Sequence, residues 1–591
     1  MALSPLLRWG SIISVIAAAV FAYSFQQHPF LFTGVHNDPL PVYCYQSVRT
    51  HDAAHPSAEC FSVEDGMFRY VWTQDSKDSL HQVKGADISV SDGYAIPGLW
   101  DGHGHLLQYG EFLHSVDLFG SRTLDEVRDR IKTYLAANPG AGTKGQWLRG
   151  IGWDQSAFGR MPTANDIEQD DELRGIFMML DRIDVHCSWV SQSVLNLLPE
   201  EIPDVPGGDI IRDPGPGVFC DNAMDMIMAL WPKPGEEEKA RAVKSAMKEL
   251  NKVGLVGMHD AGVTADNAQL YSELATSPDW TVRVYSMLEC AKRNTFCPEA
   301  TSQITLSNGM FGLRSVKLFA DGALGSWGSA MLEPYSDHPW TSGSLLINAS
   351  ALTEVTKAWA REGFQVNIHA IGDLANRNAI DAFEAALKEQ CEQENLADCQ
   401  SKHRFRIEHS QIIHPDDQKR MHALGIIPSI QPTHATSDMK YAEERLGPKR
   451  TKEEAYRMKS VLDIKPILGS DFPVEPPNPF QGIYAAMTRK NPHTGLGPDP
   501  KNPSQGWHRQ ETLSLDEALM GFTQNVAYGA FVEQYAGAIR RGAFADWVVL
   551  DEPLEDMDVE KLRTLKVRET WVAGRRVYSR DETRRPLSDS K

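Results

Sequence analysis

The segment Asp101-Gly102-His103-Gly104-His105 sets two histidines one residue apart, directly after the apolar run 94–100. Side chains in an extended strand alternate sides, so both imidazoles face the same way and could meet one metal ion. A lone His-x-His is a weak pattern, but this one has company downstream. Lys317 lies in Val316-Lys317-Leu318-Phe319-Ala320-Asp321-Gly322, His369 opens His369-Ala370-Ile371-Gly372-Asp373, His409 follows Glu408, and Asp471 lies in Gly469-Ser470-Asp471-Phe472-Pro473. Four histidines, a lysine and an aspartate in this order could surround two adjacent metal ions.

Each of these residues sits within or just after a short apolar run, and the runs alternate with amphipathic, helix-like stretches. The runs are 95–100, 255–259, 281–287, 315–320, 365–369, 405–409, 426–430 and 466–470. Eight such strands are what a closed (β/α)8 TIM-like barrel requires, and barrel active sites form at the C-terminal strand ends. The fold class expected is therefore α/β. The stretch from 147 to about 228 is too long for one crossover and reads as an insertion after the first strand, about 145–228. Strand-like pieces at 68–72, 546–550, 567–572 and 577–578 suggest a small β-sandwich built from both termini. The expected organisation is 40–93 for the N-terminal part of the sandwich, 94–525 for the barrel and 526–591 for the remainder of the sandwich.

At 591 residues the chain exceeds one core. Its formal charge of −20 argues against nucleic acid or anionic lipid as a polyanionic partner. The uncharged run 9–25, preceded by Arg8, is near the lower limit for a bilayer span and reads as a signal anchor within 1–28. A cleaved signal peptide ending near Ala22-Tyr23-Ser24 is the rival, and a buried helix the third reading. The chain is thus expected to be single-pass membrane protein with its catalytic domain on the lumenal or extracellular side, or secreted. Membrane contact would run through that helix alone, and homo-oligomer formation is left open. Among eight cysteines, Cys44/Cys60, Cys290/Cys297 and Cys391/Cys399 lie close enough in sequence to fit disulfides, although spacing alone does not fix connectivity. Asn348-Ala349-Ser350 matches a glycosylation acceptor.

Taken jointly and in order, the motifs around His103, Lys317, His369, His409 and Asp471, with Gly542-Ala543-Phe544-Ala545-Asp546-Trp547-Val548-Val549-Leu550, resemble the amidohydrolase superfamily. Within it, the match is to the amidohydrolase-3 group of YtcJ-like and N-substituted formamide deformylase-like proteins, over roughly 60–578. The resemblance implies that His103, His105 and Asp471 hold the more buried metal, and His369 and His409 the more exposed one. Lys317 would bridge them as a CO2-derived carbamate, since an ammonium has no lone pair to offer. One or two divalent ions are implied, zinc foremost, with manganese or iron as alternatives. A metal-activated hydroxide would attack the carbonyl of a small amide or N-acyl (N-formyl) amine. Asp471 would take the proton of the nucleophile and give it to the departing amine.

Plainer roles stand beside these. Lys317 could be an ion-pairing lysine and Asp471 a helix N-cap. Arg182 and His186, on the insertion, are candidate substrate contacts or salt-bridged residues, and Trp327 lies in a pocket-lining loop or an ordinary turn. His434 either faces the pocket or packs behind it, while His259-Asp260 reads as a supporting pair. Glu236-Glu237-Glu238 reads as a solvated helix start. Competing functions are a catalytically silent barrel that binds or scaffolds, and a hydrolase of a related ester, lactone or phosphoester.

Overall fold

The computed structural model describes residues 40–73, 86–300 and 302–581. Its centre is an all-parallel barrel sheet of the eight strands Leu99–Gly104, Leu255–Val263, Arg283–Leu288, Phe311–Phe319, Gln365–Ala370, Arg406–His409, Ile427–Ile430 and Ile467–Leu468. Both faces of these strands are largely buried, including polar positions such as Asn367, Arg406 and Glu408. A short antiparallel strand, Ile304–Thr305, attaches to the fourth. The first and last strands meet through a parallel bridge between Gly104 and Phe472. Asp471 donates its N–H to the His103 carbonyl (2.7 Å), and His105 donates to the carbonyl of Phe472 (2.9 Å). Barrel closure therefore brings the first and last expected ligands together. Gly102 and Gly104 permit it, because a Cβ there would fall 2.2 Å from Ile467 and 2.3 Å from Phe472.

The expected first strand, 95–100, is in fact parts of two. Tyr94–Pro97 belongs to the terminal β domain, where it pairs antiparallel with Trp547–Leu550 and parallel with Ser47 and Val48. The barrel strand begins at Leu99 and carries His103 within it. The chain changes sheet at Gly98, where a Cβ would lie 2.4 Å from Val256. The terminal domain is one eight-stranded sheet drawn from both ends of the chain. It packs Phe61 against Phe68 and Trp547, with ring centroids 4.9 and 5.0 Å apart. It is joined to the barrel by a buried ion pair in which Arg283 Nε donates to Asp546 (2.6 Å) while the guanidinium lies 3.7 Å over the Phe544 ring. Between the first and second barrel strands lies a separate six-stranded sheet, running from Val116–Asp117 to Val218–Asp221.

All eight cysteines are paired: Cys44–Cys60, Cys187–Cys220, Cys290–Cys297 and Cys391–Cys399. Three of these are the pairs suggested by spacing. The fourth joins adjacent antiparallel strands of the inserted sheet, where Cys187 and Cys220 stand in register.

The expectation of a membrane anchor is corrected. Among the described residues no helix is long and apolar enough to cross a membrane. A span needs roughly 20 apolar residues. The 18-residue helix Asp373–Gln390 carries Arg377, Asp381, Glu384, Lys388 and Glu389, and the 17-residue helix Glu236–Lys252 is also charge-rich. The run 9–25 lies outside the described residues. The signal-anchor and transmembrane assignment, the membrane contact and the membrane localisation are accordingly withdrawn.

Candidate metal centre and active site

His103, His105 and Asp471 converge at the C-terminal mouth of the barrel. The Asp471 Oδ1 atom lies 3.3 Å from His103 Nε2 and 3.2 Å from His105 Nε2. The Lys317 Nζ atom, from the fourth strand, is 3.5 Å from His103 Nε2. His409 stands with its ring centroid 4.9 Å from that of His103 and 4.4 Å from that of His369. His434 completes the cluster, its Nε2 3.8 Å from Asp471 Oδ2 and its ring stacked at 6.0 Å on His409. Two overlapping triads of donor atoms result, His103/His105/Asp471 and His409/His434/Asp471, each with its atoms within 4.8 Å of one another. His409 and Asp471 hold left-handed backbone, with φ of 73° and 60°. Residues with side chains rarely adopt it, and when they do the surrounding structure must impose it.

A second ring of buried groups fixes these side chains. Glu408 accepts from His103 Nδ1 at 2.6 Å and is itself clamped by Arg406. Arg406 also reaches His259 Nδ1 (2.6 Å) and donates to the Gly102 carbonyl (3.1 Å), so His259 supports the centre from behind. Asp101 accepts from the N–H of His103 (3.0 Å) and from the Ser470 hydroxyl (2.7 Å), tying the first strand to the eighth. Gln431 Oε1 lies 3.1 Å from His409 Nδ1. Asp321 accepts the N–H groups of Ala330, Ile371 and Gly372 at 2.8–3.0 Å, fastening the loop after the fourth strand beside His369. Ligand-orienting partners of this kind set the tautomer and aim of an imidazole. Glu408 was within reach of sequence reasoning, since it adjoins His409 on a short buried strand; Gln431 and Asp101 carried no comparable signal.

The donor set fits a divalent cation. The Nε2 atoms of His369 and His434 are buried with no hydrogen-bond partner among the described residues. Buried polar atoms are rarely left so. Burial holds His369 and His409 well below the usual imidazole range, which leaves their lone pairs free. Burial also lowers Lys317, favouring the neutral amine that carbamate formation needs. It would raise Asp471 too, but His103, His105 and His409 hold that carboxylate well below its ordinary range.

The centre lies between two chambers that share Asp184, His186, His409, Asp471 and Val474. One is walled by Arg182, Tyr441 and Arg445; the other, of about 380 Å³, by Asp181, Asp221, Asp225 and Glu289 with Arg149 and Arg293. The inserted sheet thus supplies walls to both, with Arg182 and His186 among the lining residues. Arg182 donates to Gln155 Oε1 (2.6 Å) and pairs with Asp184. His186 Nδ1 lies 2.8 Å from Asp221 Oδ1, and its ring centroid is 5.6 Å from that of His369. Trp327 is not brought to either chamber. It sits behind Arg445, whose guanidinium lies 3.9 Å over its ring, and its ring meets that of His338 at a tilt, with centroids 4.1 Å apart. Glu236, Glu237 and Glu238 are the exposed first turn of a helix, as their composition suggests.

Comparison with known proteins adds independent findings. The sequence profile described as "Amidohydrolase family" matches residues 88–578. The putative amidohydrolase YtcJ of Bacillus subtilis (strain 168) is 27% identical over 536 residues, covering 88% of this chain and 96% of that protein. The N-substituted formamide deformylase of Arthrobacter pascens is 26% identical over 557 residues, covering 90% of this chain and 97% of that one. Among solved structures, an uncharacterized metal-dependent hydrolase from Pyrococcus furiosus superposes with a TM-score of 0.66 at 25% identity, covering 87% of this chain and 99% of that chain.

Proposed function

The chain belongs to the amidohydrolase family, and from that premise we propose that it is a metal-dependent hydrolase of a non-peptide C–N bond in a small amide, N-acyl amine or N-formyl amine. The observation that carries the reading is the convergence of His103, His105 and Asp471 with His409 and Lys317 at the barrel mouth. His103, His105 and Asp471 would hold one divalent ion, and His369 and His409, with His434 at hand, a second. Lys317 would link the two as a carbamate, its neutral Nζ adding to CO2 with loss of a proton. A divalent ion held there supplies Lewis acidity toward a carbonyl oxygen and lowers the pKa of a water.

The chain's own groups do the rest. Asp471, facing both His103 and His105, receives the proton of the attacking water and returns it to the nitrogen of the departing amine. Amide nitrogen leaves poorly unless protonated, and such proton transfer contributes about 10²–10⁴-fold. Glu408 keeps the His103 ring aimed, with its Nδ1 side engaged and Nε2 toward the site. Arg182 and His186, on the chamber walls, would position the substrate. The N-substituted formamide deformylase of Arthrobacter pascens lends the formamide class its place in this reading.

The test is metal analysis of the isolated protein with turnover of a panel of N-formyl and N-acyl amines, lactones and phosphoesters, before and after chelation. Bound zinc, manganese or iron and chelator-sensitive amide turnover are expected. Lactone or phosphoester turnover without amide turnover would overturn the bond assignment. No metal and no turnover after zinc or manganese reconstitution would overturn the hydrolase reading itself.

A further inference from the structure

A cavity of about 560 Å³ opens beside the inserted sheet, and none of the metal ligands lines it. It lies between helix Leu106–Phe112, helix Leu124–Ala137, strand Leu148–Trp153 and helix Glu236–Lys252. Its size is in the range of small-molecule sites, about 300–1,000 Å³. Four aromatic side chains, Phe112, Tyr134, Trp147 and Trp231, contribute to its walls. The charges around them are lopsided: Arg149, Lys233, Arg241, Lys244 and Lys248 against Glu111 and Glu238. On a chain of formal charge −20 this is a local reversal of sign. Lys244 pairs with Asp279, whereas Lys233, Arg241 and Lys248 have no ion-pair or hydrogen-bond partner among the described residues. Burial pushes the Glu111 carboxyl up to about 7, which removes part of the negative charge near neutrality.

Arg149 is the residue that this cavity has in common with the acidic chamber of the metal centre. Its guanidinium lies 4.4 Å over the Trp231 ring and 5.8 Å from that of Phe112. One amino group donates to Asp181 Oδ2 at 2.6 Å, and Asp181 faces the metal chamber. The Nε donor is buried without a hydrogen-bond partner among the described residues. An arginine presents five donors in a planar fork suited to a carboxylate, so most of its capacity here is unspent.

We propose that this cavity is a second binding site, for an aromatic carboxylate, and that Arg149 couples its occupancy to the metal chamber. The aromatic walls accept the ring, the lysine and arginine rim accepts the carboxylate, and Arg149 stands between that anion and Asp181. A bound carboxylate competes with Asp181 for the guanidinium and so changes the charge facing the substrate.

The experiment is isothermal titration of the intact protein with 3-phenylpropionate and with 3-phenylpropanol, its uncharged counterpart, for the native chain and for Trp231→Ala, Trp231→Phe and the pair Arg241→Glu/Lys248→Glu. None of these three positions lines either chamber of the metal centre. The carboxylate is expected to bind at least ~10-fold more tightly than the alcohol, since it alone meets the cationic rim. Trp231→Ala and the charge-reversal pair should each weaken it ~10-fold or more, with metal content and basal turnover unchanged, and Trp231→Phe should restore it. The carboxylate should also alter kcat/KM of the native chain but not of Trp231→Ala. Equal affinity for acid and alcohol, or binding unaffected by all of these substitutions, would overturn the proposal. Loss of carboxylate binding on chelation alone would place the ligand on the metals and overturn it as well. Because binding is read by heat, its failure is distinguishable from a failure of the hydrolase assignment.

Discussion

Glu408 Oε2 stands 2.6 Å from His103 Nδ1, and both side chains are fully buried. The carboxylate is held well below its usual range: burial works against this, but Arg406 and His103 outweigh it. The pair fixes which nitrogen of His103 faces the centre. Glu408→Gln should therefore lower metal affinity by about 10–100-fold, the usual cost of removing such a partner. Titration against a chromophoric chelator checks this, and unchanged affinity would exclude the orienting role.

Asp471→Asn keeps size and removes the proton acceptor. Turnover of an N-formyl amine should fall by about 10²-fold or more, and metal content should fall with it because Asp471 belongs to both donor triads. Retained activity would remove Asp471 from the proposed chemistry.

His186 and Asp221 flank the Cys187–Cys220 disulfide, and each is the chain neighbour of one of its cysteines. The double substitution Cys187→Ser/Cys220→Ser should cost about 2–4 kcal/mol of stability. It should also lower kcat/KM by ~10-fold or more through misplacement of His186. Denaturant unfolding and steady-state kinetics measure the two effects separately.

Glu454 is buried, with Oε2 unpartnered among the described residues, and burial together with Asp373 pushes its carboxyl up to about 7. In the unfolded chain it titrates near 4.3. Between those values the folded state binds more protons than the unfolded state, so this group makes stability fall as pH rises from about 4.3 to about 7. Glu454→Gln should remove that fall. The variant should gain on the native protein as pH rises through this window and hold its gain above pH ~7, as thermal unfolding across pH would record.

Asp546→Ala leaves the Arg283 guanidinium buried and without its carboxylate. Removing one member of a buried pair costs about 3–5 kcal/mol. Chemical denaturation should show this loss, and a near-neutral result would mean that the terminal domain and barrel are held chiefly by apolar packing.

Much of this architecture is legible in the chain. Seven of the eight barrel strands overlap the short runs flanked by helix-like stretches, even where, as in Gln365–Ala370, buried polar residues alternate with apolar ones. The first strand, His103's own, is not separable in the sequence from Tyr94–Pro97, since only Gly98 divides the apolar residues that enter the two sheets. His103, His105, Lys317, His369, His409 and Asp471 gather because strand ends converge in a barrel. What the sequence concealed is contact between elements far apart in the chain: Gln431 behind His409 in the barrel, and Asp221 against His186 in the inserted sheet. The partnership of Cys187 with Cys220 was hidden by their separation of 33 residues, and Trp327 lies behind Arg445 through a loop path that no periodicity encodes.

The strand Tyr94–Pro97 is lined on one side by Trp547–Leu550, from near the end of the chain. During synthesis the strand that carries His103 leaves the ribosome long before that neighbour exists. Contacts so distant along the chain slow folding, and an unpaired strand edge meanwhile invites mispairing. Residues synthesised far later thus govern when the first ligands become fixed, and a nascent chain halted before Trp547 would carry the His-x-His motif on a strand whose approach is still unanchored.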